Sequence, residues 1–140
     1  MNSEKLKVSG HIAIRDKTGV RRVKNLVVSA GINGIAARMV SDAAPKITHM
    51  ALGTGTASAA AGNTTLNSEL IRVAIDSAVQ LPNGVQYTAT FPPGAATITE
   101  AGMFTGAVGG NMWCRAVFPV YNKSAGDEVS FVWNVELDHG

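Results

Sequence analysis

The chain has 140 residues, 46% of them hydrophobic, 16% charged and 6% aromatic, with a formal net charge of +2. That length fits one domain with a proper core, and the apolar content is too high for a disordered chain. No apolar run approaches the ~20 residues of a bilayer span, and the single Cys114 excludes an internal disulfide framework. The opening MNSEKLKVSG lacks an apolar core and small-residue cleavage site, so no signal peptide is expected.

Charge is unevenly placed. Nine Lys/Arg against three Asp/Glu precede Ile47, leaving the first third net +6 and the remainder net −4. A basic segment suits nucleic acid, an anionic surface or the acidic face of a neighbouring subunit, unless it is only a solvated hairpin. No aromatics accompany it for base stacking, so no nucleic-acid partner is expected. Arg21, Arg22 and Lys24 are the candidate docking residues.

In chain order, residues 1–30 read as a basic N-terminal hairpin. Val8, Ile12 and Ile14 alternate, and Asp16-Lys17-Thr18-Gly19 supplies the turn. The period then changes. Ile32, Ile35, Ala36 and Met39 fall at helical spacing, with Ser29 as a cap and Pro45 as a stop, predicting one short helix at about residues 32–42 with a core-facing stripe. ITHMALG, from Ile47, reads as a buried strand. RVAIDSAVQLPNGVQYTATF reads as a hairpin turning at Asn83-Gly84, with Val85, Tyr87, Ala89 and Phe91 on one face. ATITEAGMF, MWCRAVFPVY and EVSFVWNVEL are further strands, the last alternating strictly from Val129 to Leu137. Pro92, Pro93 and Pro119 are expected at strand ends or edges. Short strands with regular turn signals predict a mainly β chain: one antiparallel β-sandwich domain, residues 1–140, with one short α-helix.

The small-residue stretch 53–64 fails as a phosphate loop, since GTGTASAAAGNT has no Lys and its glycines have the wrong spacing for a dinucleotide site. It is expected to be an arm laid on a neighbouring subunit, or else a plain loop, because it cannot bury enough apolar area to order itself. His11, His49 and His139 are scattered, and His49 reads as a satisfied core or interface histidine. No GxSxG elbow occurs, and Glu69, Asp76 and Glu100 lack the setting of a sugar cleft. No enzyme, cofactor or metal site is expected. Cys114 reads as a buried, inert thiol.

Three segments recur together in one known family. ITHMALGTG, then Leu66-Glu69-Arg72 within TLNSELIR, then Glu100-Gly102-Met103-Phe104 within ITEAGMF, resembles the N-terminal region of phage tail-collar fibre proteins over roughly residues 47–135. Met103 stands where the family more often has leucine, a volume-conserving change. A family member would continue beyond Gly140 into a shaft and tip, which puts direct receptor binding in doubt.

The resemblance implies a structural protein of the phage virion, assembled in the host cytoplasm. It implies a homo-oligomer, trimer favoured, at the neck, tail, baseplate or fibre attachment, with other virion proteins as partners and no membrane. A capsid decoration or cement protein is the alternative, and a small carbohydrate- or surface-binding module the second. Trp113 and Trp133, in alternating strands, suit core or subunit packing better than an exposed ligand face. Arg72 and Glu100 are expected to meet, within a subunit or across an interface, unless Arg72 pairs with Glu69 at i,i+3 or both face solvent.

Overall fold

The computed structural model describes residues 4–140; residues 1–3 of the expected hairpin 1–30 lie outside them. The chain is mainly β, two antiparallel five-stranded sheets with one helix, a sandwich as the alternation predicts. The first sheet orders β2 (Gly19–Lys24), β1 (Leu6–Asp16), β10 (Val129–His139), β7 (Gly84–Phe91) and β6 (Ser77–Leu81). The second orders β3 (Leu26–Val27), β9 (Met112–Lys123), β8 (Ala96–Phe104), β4 (His49–Gly53) and β5 (Glu69–Ala74).

Local chemistry sets the turns. At the β1–β2 turn the Asp16 carboxylate accepts from the Thr18 amide and hydroxyl, and its second oxygen accepts from the Tyr121 hydroxyl. These bonds, Thr18 first, hold its pKa down at about 2. Burial and this carboxylate push the Tyr121 pKa up. Asn83 takes φ 61° at the β6–β7 turn, a conformation asparagine tolerates better than most residues.

Between the sheets, Ile12, Ile14, Ala89, Phe91, Phe131 and Trp133 of the first meet Met50, Leu52, Ile98, Ala101, Met103, Cys114 and Ala116 of the second. Phe91 and Phe131 meet edge-to-face at 5.3 Å. Trp133 is fully buried in this core, and burial pushes the Cys114 thiol up to about 12. Ala89 and Phe91 are buried as their alternation requires, with Val85 and Tyr87 half-buried on the same face.

The expectations for the hairpin and for the helix need correction. The hairpin segment from Arg72 is split: Glu69–Ala74 pairs with β4 in the second sheet, and only Ser77–Leu81 pairs with β7. The crossover falls at Ile75-Asp76, where periodicity continues and gives no sign of a change of sheet. Pro119 lies inside β9 rather than at its end, on a stretch that β3 does not pair with, which is the edge position its expectation allowed. There Ile98 pairs with Tyr121 and Glu100 with Val117, so the intervening residues of β9 bulge out of the ladder and the missing donor costs no bond.

The helix α1 (Ser29–Val40) begins before the expected residue 32, with Val28 at the cap and no side-chain cap bond, so Ser29 is not the cap. Its contact face is also different. A Cβ at Gly31 would strike the Trp113 carbonyl, and one at Gly34 would lie 2.6 Å from Trp113 Nε1. The helix therefore seats its glycines on Trp113; of the expected core stripe Ile35 packs against the core, while Ile32 and Met39 are 51% and 82% exposed.

Candidate functional site

Register determines what the outer face of the second sheet carries. Met50 and Leu52 of β4 point into the core, so Ala51 and Gly53 point outward, and their partners on β8 are Gly102 and Glu100. Gly102 in turn opposes Arg115 on β9, and Ala51 opposes Arg72 on β5. Loop 54–68 folds back over this face. Leu66 is buried there with Ala51, Phe104 and Met112 in a small second core.

At the centre lies an ion pair with both side chains at 0% exposure, Glu100 and Arg115. Glu100 Oε1 accepts from Arg115 Nε and Nη2 at 3.2 and 3.1 Å. The carboxylate also accepts three backbone amides of the loop: Gly55 at 2.7 Å, Ser68 at 2.8 Å and Asn67 at 2.9 Å. Burial pushes the Glu100 pKa up, but the three amides and Arg115 outweigh it and hold the carboxyl below its ordinary value. Arg115 Nη1 reaches on to Asn63 Oδ1 at 3.0 Å, and Thr99 Oγ1 donates to the Gly55 carbonyl.

The same geometry explains the glycines of GTG. A Cβ on Gly53 or Gly55 would stand 2.7 or 2.5 Å from Glu100 Oε2, so only glycine lets the backbone approach the carboxylate. At Gly62 a Cβ would meet open space, so that glycine has no such role. The stretch 53–64, expected as an arm laid on a neighbouring subunit or else a plain loop, makes several hydrogen bonds to its own chain. Its first end is bonded to Glu100 through the Gly55 amide, Asn67 and Ser68 beyond its far end bond the same carboxylate, and within it Ala61 O accepts from the Ser29 amide.

Arg72 is not the partner of Glu100. It pairs with Glu69, Nη2 to Oε1 at 2.6 Å and Nε to Oε2 at 3.0 Å, the i,i+3 alternative. Its guanidinium lies 3.7 Å from the centroid of the Phe104 ring and donates to the Gly106 and Gly109 carbonyls. Arg72 therefore fastens the turn after β8 to β5, as Glu100 fastens the loop after β4.

The remaining candidates are dispersed. Half-buried His49 shares a hydrogen bond between Nδ1 and Thr48 Oγ1. Trp113 seats the helix and Trp133 fills the core. Arg21 is not a free surface cation, because Nη1 and Nη2 donate to the Val120 and Pro119 carbonyls in the bulge of β9. Arg22 and Lys24 are exposed.

Among the described residues no cluster of three or more His, Cys, Asp or Glu could hold a metal, and no helix is long and apolar enough to cross a membrane. Comparison with protein-family models, curated proteins and solved structures finds no match.

Arg115, Asn63, Asn67 and Ser68 were missed from sequence. Arg115 did carry a signal: it is the lone charge in the apolar run MWCRAVF, as Glu100 is in ITEAGMF. Two solitary opposite charges in apolar strands predict each other better than a charge in a mixed segment such as SELIR.

Proposed function

We propose that this chain is a structural subunit of a bacteriophage particle, a homo-oligomeric component of the neck, tail, baseplate or fibre attachment. The observation that carries this reading is the arrangement of the three family-like segments. ITHMALGTG, SELIR and ITEAGMF form the adjacent strands β4, β5 and β8 of one sheet, with Glu100 and Arg72 each clamping a loop. Their shared pattern thus describes one physical unit, a sheet whose connecting loops are immobilised. Such a unit suits mechanical attachment to neighbouring virion proteins and assigns no catalysis, cofactor, membrane or nucleic acid to the chain.

The exposed cations Arg22 and Lys24 on β2 suit an acidic surface on a neighbouring virion protein. Immunogold labelling of purified parent particles tests the reading, with label expected at the neck, tail or baseplate. Label confined to the capsid surface would move the protein to the decoration class. Particles that lack the chain altogether would overturn the virion reading.

A further inference from the structure

A sandwich of two open sheets has four edges, each a row of unpaired amides and carbonyls that another chain can join. Three of these edges are guarded. β2 carries Arg21, Arg22 and Lys24. β3 is two residues long. β5 carries Glu69 and Arg72, and its ladder to β4 is broken by a register shift at Leu52/Gly53.

The fourth edge, β6, reads Ser77-Ala78-Val79-Gln80-Leu81, with no charge, no proline and no bulge. It pairs only with β7, and its first four residues are exposed, Val79 at 49%. Nothing in its own chemistry discourages a further strand.

We propose that β6 is a self-association edge, pairing antiparallel with β6 of a second copy across a two-fold axis at Val79. The sequence is self-complementary in that register. Val79 faces its own copy, Ala78 faces Gln80, and Ser77 faces Leu81, so no like charges oppose. The flanking Asp76 residues, each three positions from the axis, lie about 20 Å apart along the strands and do not repel strongly. The same operation on β2, with the axis at either central arginine, would set Arg21 against Arg21 or Arg22 against Arg22, a like-charge pair that disfavours it.

The strand next inward adds apolar surface. Val85 and Tyr87 of β7, the ladder partners of Gln80 and Ala78, line an apolar groove of about 270 Å³ with Ile35, Met39, Val135 and Leu137. The product of the pairing is a continuous sheet of two five-stranded halves. An isologous contact of this kind gives an even number of copies: a dimer, or a hexamer where a three-fold contact is added.

This proposal rests on the oligomeric part of the proposed function, and one experiment separates the two. The mass of the full chain is measured by light scattering at micromolar concentration, for wild type, Val79→Lys and Val20→Lys. The expected results are an even-numbered wild type, a halved mass for Val79→Lys with unchanged circular dichroism, and no change for Val20→Lys on β2. Val79→Cys should also give a disulfide-linked dimer on mild oxidation, which wild type, with its buried Cys114, should not. An associated wild type whose mass survives Val79→Lys, or is odd-numbered, would sink the edge while leaving self-association standing. A wild type near the 14.5 kDa of one chain would sink both.

Discussion

The outer face of the second sheet carries two arginine–glutamate pairs of the same chemistry and very different standing. Glu100 and Arg115 are fifteen residues apart, both fully buried, and the carboxylate takes five donors. Glu69 and Arg72 are three residues apart, and their side chains keep 36% and 10% exposure at the sheet edge. Charge removed from water is stabilised only when every lone pair and proton is matched, whereas a partly wetted pair has solvent in reserve. The first pair is therefore an organising centre and the second a fastening. Depth decides the difference, not the identity of the partners.

The largest expected effect tests that difference directly. Glu100→Ala or Arg115→Ala should each cost about 3–5 kcal/mol by stranding the other charge. The double variant should lose less than the two single losses added, and denaturant unfolding of all four proteins measures the coupling. Additive losses would mean the pair does not act as a unit.

The pair also predicts acid behaviour. Because the Glu100 carboxyl sits below its ordinary value of 4.5, its contribution is complete above that pH and is lost as pH falls through the lower folded value. Asp16 behaves likewise between 3.8 and about 2. Wild type should therefore lose stability on acidification below about pH 4.5. Glu100→Gln should be weaker at neutral pH and should lose less on acidification, a contrast readable from midpoints across a pH series.

Next in size is Gly55→Ala. The added methyl collides with the Glu100 carboxylate, and overpacking of this kind costs about 1–3 kcal/mol. Gly62→Ala, with open space around it, is the matched control and should be close to neutral. Equal effects at the two sites would show that the loop is not pinned where Gly55 meets Glu100.

The edge pair should respond more mildly. Arg72→Ala removes a stacked cation and two bonds to the Gly106 and Gly109 carbonyls, worth about 1–2 kcal/mol together. Glu69→Ala should cost under about 1 kcal/mol, since Arg72 keeps its ring and its carbonyls. If Glu69→Ala proved as damaging as Glu100→Ala, the contrast between the pairs would collapse. Smallest of all, Arg22→Glu with Lys24→Glu should leave the unfolding midpoint nearly unchanged. A weakened uptake into particles would mark β2 as a docking strip.

Much of this architecture was legible in the residues. Alternation located β1, β7 and β10, short apolar runs between turn signals located β4, β8 and β9, and Asp16 to Gly19 and Asn83-Gly84 marked the tight turns, because strand period and turn conformation are local properties. The i,i+3 spacing of Glu69 and Arg72 offered their pairing as the alternative that the fold adopts. What escaped was non-local. Arg115 stands alone in an apolar strand, but its partner is fixed only by the register of β8 on β9.

The sequence by itself determined the class of the fold, its strands and the absence of a disulfide framework, since these follow from period, turn chemistry and one cysteine. Tertiary structure alone decided that Ile75-Asp76 switches sheets, that the helix sets Gly31, Gly34 and Ile35 against the body while Ile32 and Met39 stay exposed, and that Gly53 and Gly55 admit Glu100. Each of those depends on which surfaces meet in space. A hydrophobic pattern records that a face is apolar, but only the packed chain shows what lies against it.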